Sequence, residues 1–250
     1  MGTVVSFVVH PGALGRRAAS ASLGAACAEL HRVDAAFSTW KPDSPISRLR
    51  RGEVALEALP AEVASVLAAC EGDREATGGR FDPWAVPGGV DPSGYVKGWA
   101  AGRARDVLVD AGVAGALVNA GGDVATFGRP ARGEPWRVGI RHPWRADGLA
   151  CVLEVDGAVA TSGSYERGAH LVDPGTGSAS LAVASATVLG PDPGLVDAYA
   201  TAVAITGAVG AGWLPVGLGY AAYVVGTDGT ETFIGEVHVV DPAEVAPAAG

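Results

Sequence analysis

Two stretches of unlike periodicity follow one another in this chain, and that order limits what it can fold into. Thr3 to His10 is rich in β-branched residues and reads as a strand. Leu23, Cys27, Leu30 and Val33 then recur at helical spacing, so Ala18 to Ala36 reads as a long helix that ends at Phe37. Pro60 fits the first position of a second helix running to about Ala76, and a third extends from Gly94 or Tyr95 to Ala111. Between the first two, FSTWKPDSPISRLRRGE is polar and carries two prolines; it reads as a loop, with Asp43-Ser44-Pro45 as turn chemistry. From Ala116 the pattern changes to short β runs divided by glycines: ALVNA, DVATF, WRVGIRHP, CVLEVDGAVATS, HLVDP and LAVASATVL. One helix, Leu195 to Thr206, interrupts them. A terminal hairpin follows, turning at Thr227-Asp228-Gly229, and residues 241–250 read as a frayed, flexible tail. Helices first and antiparallel strands later predict an α+β fold, not a doubly wound sheet. With no internal repeat and no long linker, the expectation is a single domain over residues 1–250. It has mixed or antiparallel sheets, packed helices and room for two lobes around a ligand cleft.

Charge and cysteine usage exclude several functions. The 250 residues carry a formal net charge of −9, which gives no general affinity for nucleic acid or an anionic membrane. An anionic small molecule would therefore need a local cation. Cys27, Cys70 and Cys151 are odd in number and far apart, so they read as small core residues rather than as disulfides or zinc ligands. No apolar run is long enough to span a bilayer, and no export signal opens the chain. A cytoplasmic location is the expectation, with export or membrane anchoring as the alternative if a leader has been removed.

Four stretches carry candidate chemistry. TGGRFDPWAVPGGVDPSGYVKG (residues 77–98) sets glycines, aspartates and one lysine on a loop. Such a loop suits either a phosphate-and-metal site or plain surface turn chemistry. NAGGDVATFG places Gly121, Gly122 and Asp123 between two apolar strands. It is either a hairpin with a solvated aspartate or a place where backbone approaches a ligand closely. In ATSGSYERGAHLVDPGTG, Thr161, Ser162 and Gly163 offer hydroxyls and N–H groups for an anion-binding nest. His170 in the same stretch is either a structural histidine or an acid/base group. In VDAYATAVAITG, Asp197 and Thr201 are four apart on one helix face. They suit either a hard cation such as Mg²⁺ or a dipole-offsetting acid with a packed threonine. No GxGxxG, Walker loop, GxSxG or HExxH motif is present.

In order, MGT, FSTW-x-PDSPISRL, GGRFDP, VDPSGYVKG, VNAGGD, TSGSYERG-x-HLVDPGTG and VDAYATA resemble the ApbE family, the FAD:protein FMN transferases, almost end to end. The resemblance implies an α+β fold that binds FAD in a cleft. It implies Mg²⁺-dependent cleavage of the pyrophosphate, transfer of FMN to a threonine hydroxyl of an acceptor protein, and release of AMP. It makes Trp40 the counterpart of a flavin-side tyrosine, and Arg80, Phe81 and Asp82 that of an FAD-contacting triplet. Asp91 and Lys97 correspond to the Asp and Lys of a D-x-x-x-x-x-K-G segment. It also implies metal positions at the Gly94 carbonyl, Asp197 and Thr201, a catalytic base at His170 and an FAD contact at Leu171. The chain departs from the pattern at Trp40, at Arg80 (a small residue in the family) and at Trp84 (usually Thr). Family acceptors carry an Asp-x-x-Ser/Thr-Gly-Ala-Thr-type motif, which this chain lacks. An FAD pyrophosphatase without an acceptor, and a non-catalytic flavin-binding protein, are the alternative functions.

Overall fold

The computed structural model describes residues 2–163, 173–177 and 182–240. In chain order the elements are β1 (Val5–His10), α1 (Arg16–Phe37), α2 (Pro45–Arg50), α3 (Ala61–Ala76), α4 (Ser93–Asp110), β2 (Gly115–Ala120), β3 (Asp123–Gly128) and β4 (Trp136–Arg141). β5 (Leu149–Val155), β6 (Ala158–Gly163), β7 (Val183–Gly190), α5 (Pro193–Thr206), β8 (Ala221–Gly226), β9 (Glu231–Ile234) and β10 (Val239–Val240) complete it. The fold is α+β, and every described strand pair is antiparallel. Seven strands form the central sheet in the order β1-β2-β3-β6-β7-β8-β9, and β10-β5-β4 form a smaller one.

The two-residue period of the strands assigns different side chains to the two faces of the central sheet. On one face Ala116, Val118, Ala125, Ala158, Ala160, Ala186, Val188 and Ala222 join the helices in the larger apolar core. On the other, Val124, Val159, Tyr223 and Val225 pack with Ile140, Cys151, Leu153 and Val155 of the small sheet. Alanine on the first face keeps it shallow, so helices can sit close to the strands. α5 lies there and is buried on nearly every side, from Pro193 through Ile205, which is why its composition is apolar all round.

α4 packs on α5 through glycines four residues apart. A Cβ at Gly94 would stand 3.5 Å from Thr201 Oγ1, one at Gly98 would stand 1.9 Å from the Pro193 carbonyl oxygen, and one at Gly102 would stand 3.0 Å from Pro193 Cγ. The contacts run antiparallel along the two helices. In the reverse sense, Gly194 of α5 leaves room for the Tyr95 ring, which a Cβ there would meet at 2.5 Å.

The structure changes four of the expectations. The stretch read as a loop contains α2, because Ser44-Pro45 is a helix start rather than a turn. The Ser44 hydroxyl caps the Ser47 N–H at 3.0 Å and Pro45 follows in the first turn. CVLEVDGAVATS is two strands: Asp156-Gly157 breaks it, and β5 and β6 enter different sheets. Cys27 is exposed, because the buried stripe of α1 runs through Ala26, Leu30, Val33 and Phe37 and misses it. Asp123 is not a solvated hairpin residue, since only 1% of it is exposed. Among the described residues no helix is long and apolar enough to cross a membrane.

Candidate functional site

Three charged side chains meet where β3 begins on the helix face of the central sheet. Asp123 opens β3 on the same face as Ala125 and therefore points toward α4. Lys97 of α4 donates from Nζ to Asp123 Oδ2 at 2.5 Å and to Asp197 Oδ1 of α5 at 3.3 Å. The other Asp197 oxygen, Oδ2, accepts the Gly98 N–H at 3.2 Å. That bond needs the two helices in contact, and Gly98 allows it. Asp123 and Asp197 are each 1% exposed, while the Lys97 side chain is 18% exposed. Two desolvated carboxylates thus share an ammonium that keeps a path to solvent.

Thr201, one turn along from Asp197, extends the site. Its hydroxyl lies 3.4 Å from Ser162 Oγ, on the end of β6 and on the helix face of the sheet. Gly94 lets α4 lie close to Thr201 and to Phe81, since a Cβ there would be 3.5 Å from Thr201 Oγ1 and 3.3 Å from Phe81 Cε2. Phe81 is itself held by its N–H, which donates to Thr77 Oγ1 at 3.1 Å. The structure therefore brings together Phe81, Gly94, Lys97, Asp123, Ser162, Asp197 and Thr201.

The turn before Asp123 is built for close approach. Gly121 and Gly122 have φ of +68° and +106°, a region other residues rarely adopt, and the Gly122 N–H donates to Asn119 Oδ1 at 2.8 Å. Thr3 packs against this turn so tightly that a Cβ at Gly121 would be 2.1 Å from its hydroxyl. Thr3 and the Gly-Gly-Asp turn are thus one structural unit.

Other expected site residues are placed differently. Thr161 alternates with Ser162 and faces the opposite side of the sheet, where its hydroxyl meets Thr187 Oγ1 at 2.9 Å. Gly163 is buried at the end of β6. Trp40 is 88% exposed on the turn after α1, and Arg80 is exposed after α3. Asp82 and Asp91 make local turns, accepting from Trp84 N at 2.8 Å and Ser93 N at 3.0 Å. His170 and Leu171 lie outside the described residues. Gly98 and Arg50 went unmarked in the sequence. The four-residue spacing of Gly94, Gly98 and Gly102 is the signal that exposes the first. Arg50 donates to the Pro87 and Val90 carbonyls at 3.2 and 3.1 Å and approaches Asp91 at 3.8 Å, holding the glycine-rich loop against α2.

An oxygen set of one carboxylate, one hydroxyl and the Gly94 backbone fits a small hard cation better than a soft one. Among the described residues no group of three or more His, Cys, Asp or Glu side chains is arranged to hold a metal; the set above contains one such residue and is of another kind. The buried cysteines offer no nucleophile: burial pushes both thiols up, Cys151 to about 12.

The fold and this site define an α+β protein with a lysine–carboxylate centre at the sheet end, beside the close, glycine-mediated contact of two helices. The chain belongs to the ApbE family, whose model matches residues 1–88 and 86–222. A FAD:protein FMN transferase of Rhodobacter capsulatus is 37% identical over 127 residues, 47% of this chain and 24% of that protein. One of Salmonella typhimurium is 32% identical over 129 residues, 47% of this chain and 37% of that protein. The matches thus span well under half the length of these curated relatives. An ApbE protein of Thermotoga maritima has the same fold, with a TM-score of 0.78 at 24% identity over 94% of both chains.

Proposed function

We propose that this protein transfers FMN from FAD to a threonine hydroxyl of an acceptor protein, releases AMP, and uses Mg²⁺ to do so. The observation that carries the reading is the partly exposed Lys97 ammonium, held between two buried carboxylates beside Gly94 and Thr201. The names of the family relatives support the transfer of FMN from FAD to a protein.

Cleaving a pyrophosphate at phosphorus calls for charge neutralisation and positioning more than for covalent help. Lys97 offers a fixed positive charge at the mouth of the site, and the Gly121-Gly122 turn offers backbone that a phosphate can approach closely. Asp197, Thr201 and the Gly94 carbonyl are the residues assigned to hold Mg²⁺, which would supply Lewis-acid neutralisation of phosphate charge when bound. Trp40 presents an exposed aromatic face for the isoalloxazine, and Arg80, Phe81, Asp82, Asp91, Ser162 and Leu171 belong to the walls proposed for FAD. His170 is assigned the proton of the incoming threonine hydroxyl. The partner proposed, from the family resemblance, is an acceptor with an Asp-x-x-Ser/Thr-Gly-Ala-Thr-type motif.

The test is to incubate the purified chain with FAD, Mg²⁺ and a domain bearing that motif, then run a denaturing gel. A flavin-fluorescent acceptor band that EDTA abolishes supports the transferase. A dark band with AMP in solution supports hydrolysis of FAD instead, and a dark band without AMP supports a flavin-binding protein.

A further inference from the structure

We infer that Asp73 is a positioning residue for the first turn of α5: as a neutral acid it allows α3 to close on the turn that Asp192 caps, and its ionisation lets that contact open. The inference stands apart from the metal reading, because neither aspartate is among the positions assigned to the cation.

Asp73 lies on the buried face of α3 with Val63, Val66 and Cys70, and α3 packs on α5. Its Oδ2 is shut off from water and has no hydrogen-bond partner. A bare carboxylate in such a place is strongly unfavourable, whereas the neutral acid costs far less. The neighbouring charge makes ionisation harder still. Asp192 caps α5, its Oδ1 accepting the Gly194 and Leu195 N–H groups at 2.8 and 3.0 Å. Among the described residues no Lys, Arg or His forms an ion pair with Asp73 or Asp192. Around them stand the phenols of Tyr95, Tyr199 and Tyr220, each pushed up by burial and then by the two aspartate charges. The Cys70 thiol is pushed up by burial and then by Asp73 and Asp197. None of these groups supplies a positive charge. The Tyr95 ring lies on Gly194 of the capped turn, and the Tyr220 ring lies on Gly190 just before it, where a Cβ would meet it at 2.4 Å.

Burial, with the Asp192 charge adding to it, pushes the Asp73 carboxyl up to about 7. Opening the α3–α5 contact would hydrate that carboxyl and return it to its ordinary 3.8. Opening therefore releases a proton. It becomes easier as pH rises from about 4 to about 7, by up to about tenfold per unit, and levels off above that. Asp197 lies one turn further along α5 and accepts the Gly98 N–H, so a loosened first turn reaches the candidate site.

Amide exchange at Gly194, Leu195 and Val196 reads the opening of this turn, when expressed as protection factors that remove the intrinsic effect of pH. In the full chain, protection should fall at least about tenfold between about pH 5 and pH 8, and less than about twofold in Asp73→Asn. Asp192→Asn keeps an oxygen to cap the helix but loses the charge, so its fall should be smaller than the parent's. An aspartate with a merely structural role would leave protection level with pH. Level protection in the parent, or a fall that persists in Asp73→Asn, overturns the inference. So does a fall in Asp192→Asn equal to the parent's. If Asp73→Asn does not fold, Asp192→Asn decides.

Discussion

Gly98 of α4 lies against Pro193 of α5 so closely that a Cβ would stand 1.9 Å from the proline carbonyl oxygen. The same residue donates its N–H to Asp197, so helix packing and the geometry of the charged site are one arrangement. Alanine at 98 would gain about 1 kcal/mol of helix propensity, but it meets an overpacking cost of about 3 kcal/mol or more, because backbone cannot yield as a side chain can. Gly98→Ala should therefore destabilise in urea unfolding. Gly24→Ala, on a stretch of α1 where a Cβ meets nothing within 4 Å, should stabilise by about 0.5–1 kcal/mol. Equal effects at the two positions would refute the packing account.

Asp73, 4% exposed on α3, should make stability fall as pH rises. Burial, with the Asp192 charge adding to it, pushes its carboxyl from 3.8 up to about 7. The folded group keeps its proton in a range where the unfolded one has lost it. Between about pH 4 and pH 7, folding therefore takes up a proton, at a cost of up to ~1.4 kcal/mol per pH unit. Asp73→Asn should gain about 2 kcal/mol or more at pH 8 and nothing at pH 4. Glu29 acts in a lower window: hydrogen bonding by Arg32, with Arg103 adding, holds its carboxyl down at about 2, so its contribution is lost only as pH falls below its ordinary 4.5. Chemical denaturation of both proteins across pH checks the sign.

Trp40 should matter to ligand and not to fold. At 88% exposure its removal costs little packing, so Trp40→Ala should unfold within about 0.5 kcal/mol of the parent. Its FAD affinity should fall at least about fivefold if the indole stacks on the flavin. Fluorescence titration with FAD measures this, and unchanged affinity would remove Trp40 from the proposed cleft.

Arg50 should govern the loop that leads into α4. Its guanidinium bonds two loop carbonyls, and Gly88, with φ of +84°, admits it where a Cβ would be 2.8 Å from Nη2. Arg50→Ala should loosen residues 85–91 by about 1–3 kcal/mol, seen as faster amide exchange confined to that loop. Lysine should restore only part of the protection, because it lacks the fork that reaches both carbonyls.

What could be read from the sequence was whatever depends on local spacing. Asp197 and Thr201 do share a helix face, and the boundaries of α1, α3 and α4 fall within a residue or two of those expected. What could not be read depends on distant partners. Ser44-Pro45 has the same letters as a turn and as a helix cap, and the choice is made by Ser38, whose carbonyl accepts from both Ser44 and Ser47 hydroxyls. The burial of Asp123 comes from Lys97, 26 residues away, and that of Asp197 from Gly98, 99 away. Such pairings leave no periodic trace, although the Gly94-Gly98-Gly102 spacing marks where a second helix would come close.

The most direct test of the proposed reaction is to measure AMP and protein-bound flavin in one time course with FAD, Mg²⁺ and the acceptor domain. The account predicts one AMP released for each flavin attached to the acceptor, with both lost in Asp197→Ala. AMP accompanied only by free FMN, or acceptor labelling that persists in Asp197→Ala, would contradict it.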